Sequence, residues 1–253
     1  LIRGGDAEFI QRTPGAFKGD FTFIRLDIST VQFGYNNLPH IGRGASRVDR
    51  AGFLIRPDVR GDWIWRGASL HPQSIIFMAR GAEFQDIVPG DSTWAFLSVE
   101  REPLEQTIGA FTGAQISIPQ HGCRLYLPPD DSFEDLRFAL RTVLNSVHAD
   151  PALLQVNGAR RGAEQTMLQA LALALGSASR VRPETYASST RQRVMRLVEA
   201  SLEARQGETV YLADLCAAGG VSERTLRSLF QESYGISPVQ YLKLRRLHQV
   251  RRA

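Results

Sequence analysis

The rhythm of apolar and polar positions changes twice along the 253 residues. From Phe21 to about Glu100, short runs rich in β-branched and aromatic residues (FTFIRLDIS, VQFGY, AGFLI, SIIFMA, STWAFLSVE) alternate with Gly, Pro, Asn and Asp. Runs of that length bounded by turn formers predict the strands of a β-sandwich or small barrel. The segment AQISIPQHGCRLYL, residues 114 to 127, predicts two more. After PPDDS the period lengthens: Phe133, Leu136, Leu140, Val143, Leu144 and Val147 recur at helical spacing, behind the acidic and capping residues Asp130, Asp131 and Ser132. A second helical run, AEQTMLQALALALG, closes on Gly176, and SASRVRPETYASS, rich in Ser and broken by Pro183, reads as a linker. The two apolar stripes either complete the β-rich core or meet a second subunit, since an apolar face does not name its partner.

The second change comes at LADLCAAGGVSERTLRSLF, residues 212 to 230. Cys216 is small enough for two helices to approach, Gly220 suits a tight turn that needs positive φ, and Ser222 is a suitable N-cap for the second helix. On that helix Leu226, Leu229 and Phe230 form one stripe, which leaves Glu223, Arg224, Arg227, Ser228 and Gln231 on other faces. Arg224 and Arg227 are therefore placed to reach a major groove. The plainer reading of the same segment is a helical hairpin with a solvated arginine face.

Charge sharpens this picture. Residues 1 to 186 carry 19 basic and 20 acidic side chains, whereas residues 187 to 253 carry 11 and 6. A basic end on a nearly neutral body suits phosphate neutralisation on nucleic acid. The length favours about two domains. Cys123 and Cys216 lack the spacing of a disulfide framework or zinc cluster, and both read as small buried residues. His40, His71, His121, His148 and His248 are scattered, and no GxSxG, GxxxxGK or complete GxGxxG occurs. A metal site, a cofactor and a catalytic residue set are therefore not expected. With neither a signal-peptide pattern nor an apolar run of about eighteen residues, the expectation is a cytoplasmic protein with no membrane partner.

The continuation FQESYGISPVQYLKLRRLHQVRRA contains Phe230, Gly235, Ser237 and Pro238 as an aromatic-x4-Gly-x-Ser-Pro turn, followed by a long helix. Over residues 190 to 253 the chain resembles the AraC-type transcriptional regulators. The resemblance implies double-stranded DNA and RNA polymerase as partners. It places Arg224, Arg227 and Ser228 on base-facing positions, Thr225 near the phosphates, and Gln231 on the same exposed face. The family carries two helix-turn-helix units, and Ala253 lies within or just after the helix that joins them, so the second unit is absent from these residues. The family also places a cupin-like β-barrel and a helical dimerisation element ahead of the DNA-binding part. The expected fold is therefore α+β, with an effector-binding cupin-like domain at 1–128, a helical dimerisation element and linker at 129–186, and the first, all-α helix-turn-helix part at 187–253. The same order implies a homodimer. PGAFKGDFTFIRLDISTVQFGYNNL resembles the sensors of ethanolamine-operon activators, so a small amine is an alternative effector. A cupin-fold enzyme is the alternative from another class.

RGASRVDRAGFLIRPDVR, residues 43 to 60, holds five arginines against Asp49 and Asp58. Arg43 and Arg47 have the RxxxR spacing of PilZ-type receptors for cyclic di-GMP. If extended, the pair shares one sheet face and spans roughly 13 Å, which suits a bis-nucleotide. The pattern resembles that of cyclic di-GMP-responsive AraC-type activators of exopolysaccharide synthesis in rhizobia. Arg43 and Arg47 are thus the expected effector ligands, with Arg50 or Arg56 assisting from a neighbouring strand. The PilZ DxSxxG element is matched only by Asp27 and Ser29, in reversed order. Two further RxxxR pairs occur, Arg56/Arg60 and Arg137/Arg141, and the latter reads as a solvated helix face.

Overall fold

The computed structural model describes residues 7–46, 50–58, 61–113, 118–181, 189–205 and 208–252. Its β-rich part consists of two antiparallel sheets. One is built from β2 (Gly19–Arg25), β3 (Ser29–Asn36), β5 (Ala51–Ile55), β8 (Ile75–Met78), β10 (Ser92–Val99), β11 (Cys123–Leu127) and β12 (Ser179–Val181), in the order β12-β11-β8-β5-β10-β3-β2. The other is built from β1 (Ala7–Gln11), β4 (His40–Ala45), β6 (Ile64–Trp65), β7 (Ala68–Ser69) and β9 (Glu83–Val88), in the order β1-β4-β9-β6-β7. The helices are α1 (Arg101–Thr112), α2 (Asp130–Ala149), α3 (Asn157–Ser177), α4 (Ser189–Ala204), α5 (Leu212–Gly219), α6 (Glu223–Tyr234) and α7 (Pro238–Arg252).

The seven-stranded sheet carries the main core. Val31, Phe33, Phe53, Ile55, Ile75, Phe77, Leu97 and Val99 are buried in one cluster with Phe133, Leu136 and Leu140 of α2 and Met167, Leu171 and Leu175 of α3. Thr22 meets His148 at 3.1 Å, and Glu164 of α3 accepts from the Ser29 amide at 2.9 Å and the Ser29 hydroxyl at 2.6 Å. These bonds fix α2 and α3 on the face bearing Val31 and Phe33, because alternate strand residues share a face. Of the two destinations open to the apolar stripes, completing the β-rich core is the one seen; they do not stand apart from it. Burying such side chains stabilises by about 1.5–3 kcal/mol each.

Other expectations shift too. Leu127 pairs with Ser179 and Leu125 with Val181, so the expected linker begins with an edge strand. Only one strand is seen within 118–127, and residues 114–117 lie outside the described set. Helix α1 was not anticipated, although Leu104 and Ile108 are buried at helical spacing and Gly113 closes the helix at φ 64°. The C-terminal helices have a second core, formed by Val194, Val198, Leu202, Leu215, Leu226, Phe230, Tyr234 and Tyr241. Among the described residues no helix is long and apolar enough to cross a membrane.

Candidate functional site

Helices α5 and α6 join at Gly220, which has φ 62°, and the Ser222 hydroxyl accepts from the Thr225 amide at 3.2 Å, as the sequence predicts for a turn and an N-cap. Leu226, Leu229 and Phe230 are buried, so packing fixes the roll of α6. Glu223, Arg224, Thr225, Arg227, Ser228 and Gln231 are left exposed. Arg227 pairs with Glu223 one turn earlier. Ser228 donates to Glu232 at 3.0 Å, and Thr225 shares a 2.9 Å hydroxyl contact with Ser222. Arg224 forms no ion pair among the described residues. The face combines guanidinium, hydroxyl and amide groups, the set that reads base edges and grips phosphates.

The α6–α7 corner rests on the five-stranded sheet. Ile10 pairs with Ile41 and Ile41 with Ile87, while Glu8 pairs with Arg43 and Arg43 with Gln85, so all six lie on one face. Ile10 and Ile41 are buried in the C-terminal helical core. Gln85 donates to the Ser233 carbonyl at 3.0 Å and Arg12 to the Gly235 carbonyl at 3.3 Å. Gly235, at φ 63°, is the glycine of the aromatic-x4-Gly-x-Ser-Pro turn. The opposite face carries Asp86, buried and accepting from the Trp63 indole at 2.9 Å, with its pKa pushed up to about 7 by burial despite that bond and one from Gly42. His40 shares that face, and burial lowers its pKa to about 4.

Arg43 is therefore part of an interface between the sheet and the helices. Its Nε donates to Glu8 at 2.6 Å, and its side chain is 12% exposed. Its buried Nη1 lies 3.9 Å from Glu203 of α4 and has no hydrogen-bond acceptor among the described residues. Tyr234 donates to Glu199 and stacks on Tyr241, with ring centroids 4.5 Å apart. Arg47 and Arg60 lie outside the described residues.

Arg50 and Arg56 flank β5, which sits between β8 and β10 in the other sheet. The expectation that either assists Arg43 from a neighbouring strand is thus corrected: the strands beside β4 are β1 and β9. Arg50 pairs with Glu100 at 3.3 Å. Arg56 is buried, donates to the carbonyls of Leu70 at 3.3 Å and His71 at 2.8 Å, and lies 5.6 Å from the Trp63 ring centre. Burial lowers its pKa to about 10. These bonds make Arg56 a brace between β5 and the chain leading to β8. Arg141, expected to be simply solvated, pairs with Asp58 and donates to the Pro57 carbonyl at 3.2 Å, which ties α2 to the end of β5. Arg137 pairs with Glu134 on its own helix.

Glu8, Arg12, Gln85, Glu199, Tyr234 and Tyr241 had no sequence signal as a group, because only the folded interface brings them together. Among the described residues no three His, Cys, Asp or Glu side chains gather as a metal site.

No family model matches the chain. Among solved structures it is similar to the AraC-like transcriptional activator CuxR, with 15% identity, 96% of this chain and 86% of that one covered, and a TM-score of 0.48. It is also similar to ToxT from Vibrio cholerae O395, with 10% identity, coverages of 89% and 77%, and a TM-score of 0.28. Unsaturated fatty acid bound wild-type ToxT from V. cholerae strain SCE256 matches with 7% identity, coverages of 95% and 76%, and a TM-score of 0.28.

Proposed function

We propose that the chain comprises the sensor and first DNA-reading unit of an AraC-type transcription activator, acting by ligand-shifted DNA binding rather than catalysis. The observation that carries this reading is the α6 face, where Arg224, Thr225, Arg227, Ser228 and Gln231 stand exposed opposite the buried Leu226, Leu229 and Phe230. The AraC-like residues of the α6–α7 corner support it, and so does the basic charge of the last 67 residues. In this reading the helices are the reader and the two sheets with α1 to α3 are the sensor.

The proposed effector is cyclic di-GMP, held by Arg43 and Arg47, and the proposed targets are exopolysaccharide synthesis genes. The protein acts in the cytoplasm as a homodimer that contacts RNA polymerase. The outward α2 residue Phe138, 74% exposed, offers a dimer surface that the inward stripe does not. An effector phosphate on Arg43 has to replace the Glu8 carboxylate in a contact that also faces Glu203 of the reader. That exchange gives the ligand a direct route to the reader.

The test is titration of a duplex selected by the protein from a random pool. Arg224→Ala and Arg227→Ala should each weaken specific binding by about 1–3 kcal/mol and relax preference within one half-site. Unchanged affinity in both variants rejects the α6 assignment.

A further inference from the structure

The tip of the β6–β7 hairpin is an unusual place for an arginine. Trp65 pairs with Ala68, so Arg66 and Gly67 form a two-residue turn, with φ of 50° and 85°. Such turns require positive φ at both central positions and favour Asn, Asp or Gly there. A larger L-residue in that region is strained by about 1–2 kcal/mol. Strain of this kind is retained where position matters more than local stability.

Arg66 lines a cleft of about 220 Å³ between sensor and reader. Phe84 and Gln85 of β9 form one wall, and Met195 of α4 and Leu229 of α6 form the other. Phe84 stacks on Trp65, with centroids 6.0 Å apart and planes 11° apart, which stiffens the base of the hairpin. Three arginines and three glutamates also line the cleft, but not all are available to a ligand. Glu232 pairs with Arg191 at 2.5 Å. Glu199 accepts from Tyr234, and burial raises its pKa. Arg66 and Arg196 form no ion pair among the described residues, and Glu83 is the remaining acid. One guanidinium from the sensor and one from the reader thus face the same small space.

We propose that this cleft binds a small phosphate- or carboxylate-bearing metabolite, gripped by Arg66 from the sensor and Arg196 from the reader. Guanidinium forks take such groups in paired, charge-assisted hydrogen bonds. The site is separate from the Arg43 and Arg47 effector reading and stands without it. Because the two arginines belong to different units, an occupant fastens the reader to the β6–β7 hairpin.

The probes are pyrophosphate and citrate, which separate the phosphate from the carboxylate source, each titrated calorimetrically at constant ionic strength. The proteins are the parent, Arg66→Asn, Arg196→Gln and Arg137→Ala. Asn adopts the left-handed conformation readily, so Arg66→Asn keeps the turn and removes only the cation. At least one probe should bind the parent, with affinity reduced tenfold or more in Arg66→Asn and in Arg196→Gln and unchanged in Arg137→Ala. The melting temperature of the parent should rise with that probe, and that of Arg66→Asn should not. The proposal is overturned if neither probe binds, if the two cleft variants bind like the parent, or if Arg137→Ala loses as much. Loss of DNA affinity in Arg66→Asn without probe binding would assign the arginine to the DNA backbone and equally overturn it.

Discussion

The two sheets share a strand chemistry but do different work. The seven-stranded sheet meets α2 and α3 through an aliphatic and aromatic core that includes Phe53, Phe77 and Leu97. The five-stranded sheet adds buried polar groups to its packing: Asp86 and His40 lie beside Trp65 and Val88 on one side, while Ile10, Arg12, Ile41, Arg43 and Gln85 meet the C-terminal helices on the other. Apolar burial without direction stabilises, whereas directional polar contacts decide where a neighbouring unit sits. The first sheet supplies the scaffold and the second carries the contacts to the C-terminal helices.

The largest expected effect lies in the seven-stranded sheet. Phe77→Ala removes a ring buried against Phe53 and should cost about 3–5 kcal/mol, read as a lower denaturation midpoint. A loss below about 1 kcal/mol would show that the seven-stranded sheet is not the main store of stability.

The second effect is pH-dependent and belongs to the other sheet. The raised Asp86 pKa means that the fold favours the protonated acid, so this group's contribution falls as pH rises from about 4 to about 7 and is level above that. His40 acts the other way: held neutral, its contribution is lost as pH falls from about 6.5 to about 4. Asp86→Asn should therefore leave a stability that rises with pH across that window, gaining up to a few kcal/mol relative to the parent near pH 7. Denaturant titrations at four pH values check this, and parallel profiles for the two proteins would contradict it.

Next in size is the interface. Arg43→Ala removes the ion pair with Glu8 and the link to Glu203. The expected cost is roughly 1–3 kcal/mol, borne by docking rather than by either core, so calorimetry should show the transitions of the β-rich part and of the C-terminal helices moving apart. A uniform shift of one transition would argue against a separable interface. Arg137→Ala, on the helical surface, should change stability by less than about 0.5 kcal/mol.

The same contrast explains what could be read from the chain. The runs around Ile24, Val31, Phe53, Phe77 and Leu97 predicted five strands of the scaffold sheet because sheet burial imposes an apolar signal on each. Helix α6 was legible for the same reason, with Ser222 and Gly220 marking its approach. HIGRGA and EFQDIV form β4 and β9 yet carry little apolar pattern, since one face of each sets the buried polar His40 and Asp86 beside Phe84 and Val88, and the other meets the C-terminal helices. The arginine cluster was visible as composition, but pairing decides what each member does: Arg56 braces a loop, Arg50 meets Glu100 and Arg43 enters the interface. Arg66 had no signal at all, because Trp-Arg-Gly-Ala does not announce a turn and its partner in the cleft, Arg196, lies 130 residues away. Helix α1 did have one: Leu104 and Ile108 at helical spacing, Pro103 in the first turn and Gly113 after the last.

The most direct measurement is the affinity of the protein for its selected duplex with and without saturating cyclic di-GMP, in the parent and in Arg47→Ala. A shift of about tenfold or more, corresponding to about 1.4 kcal/mol of coupling, is expected in the parent, and little or no shift in Arg47→Ala. Equal DNA affinity with and without the nucleotide in the parent would contradict the claim that this sensor reports cyclic di-GMP to the reader.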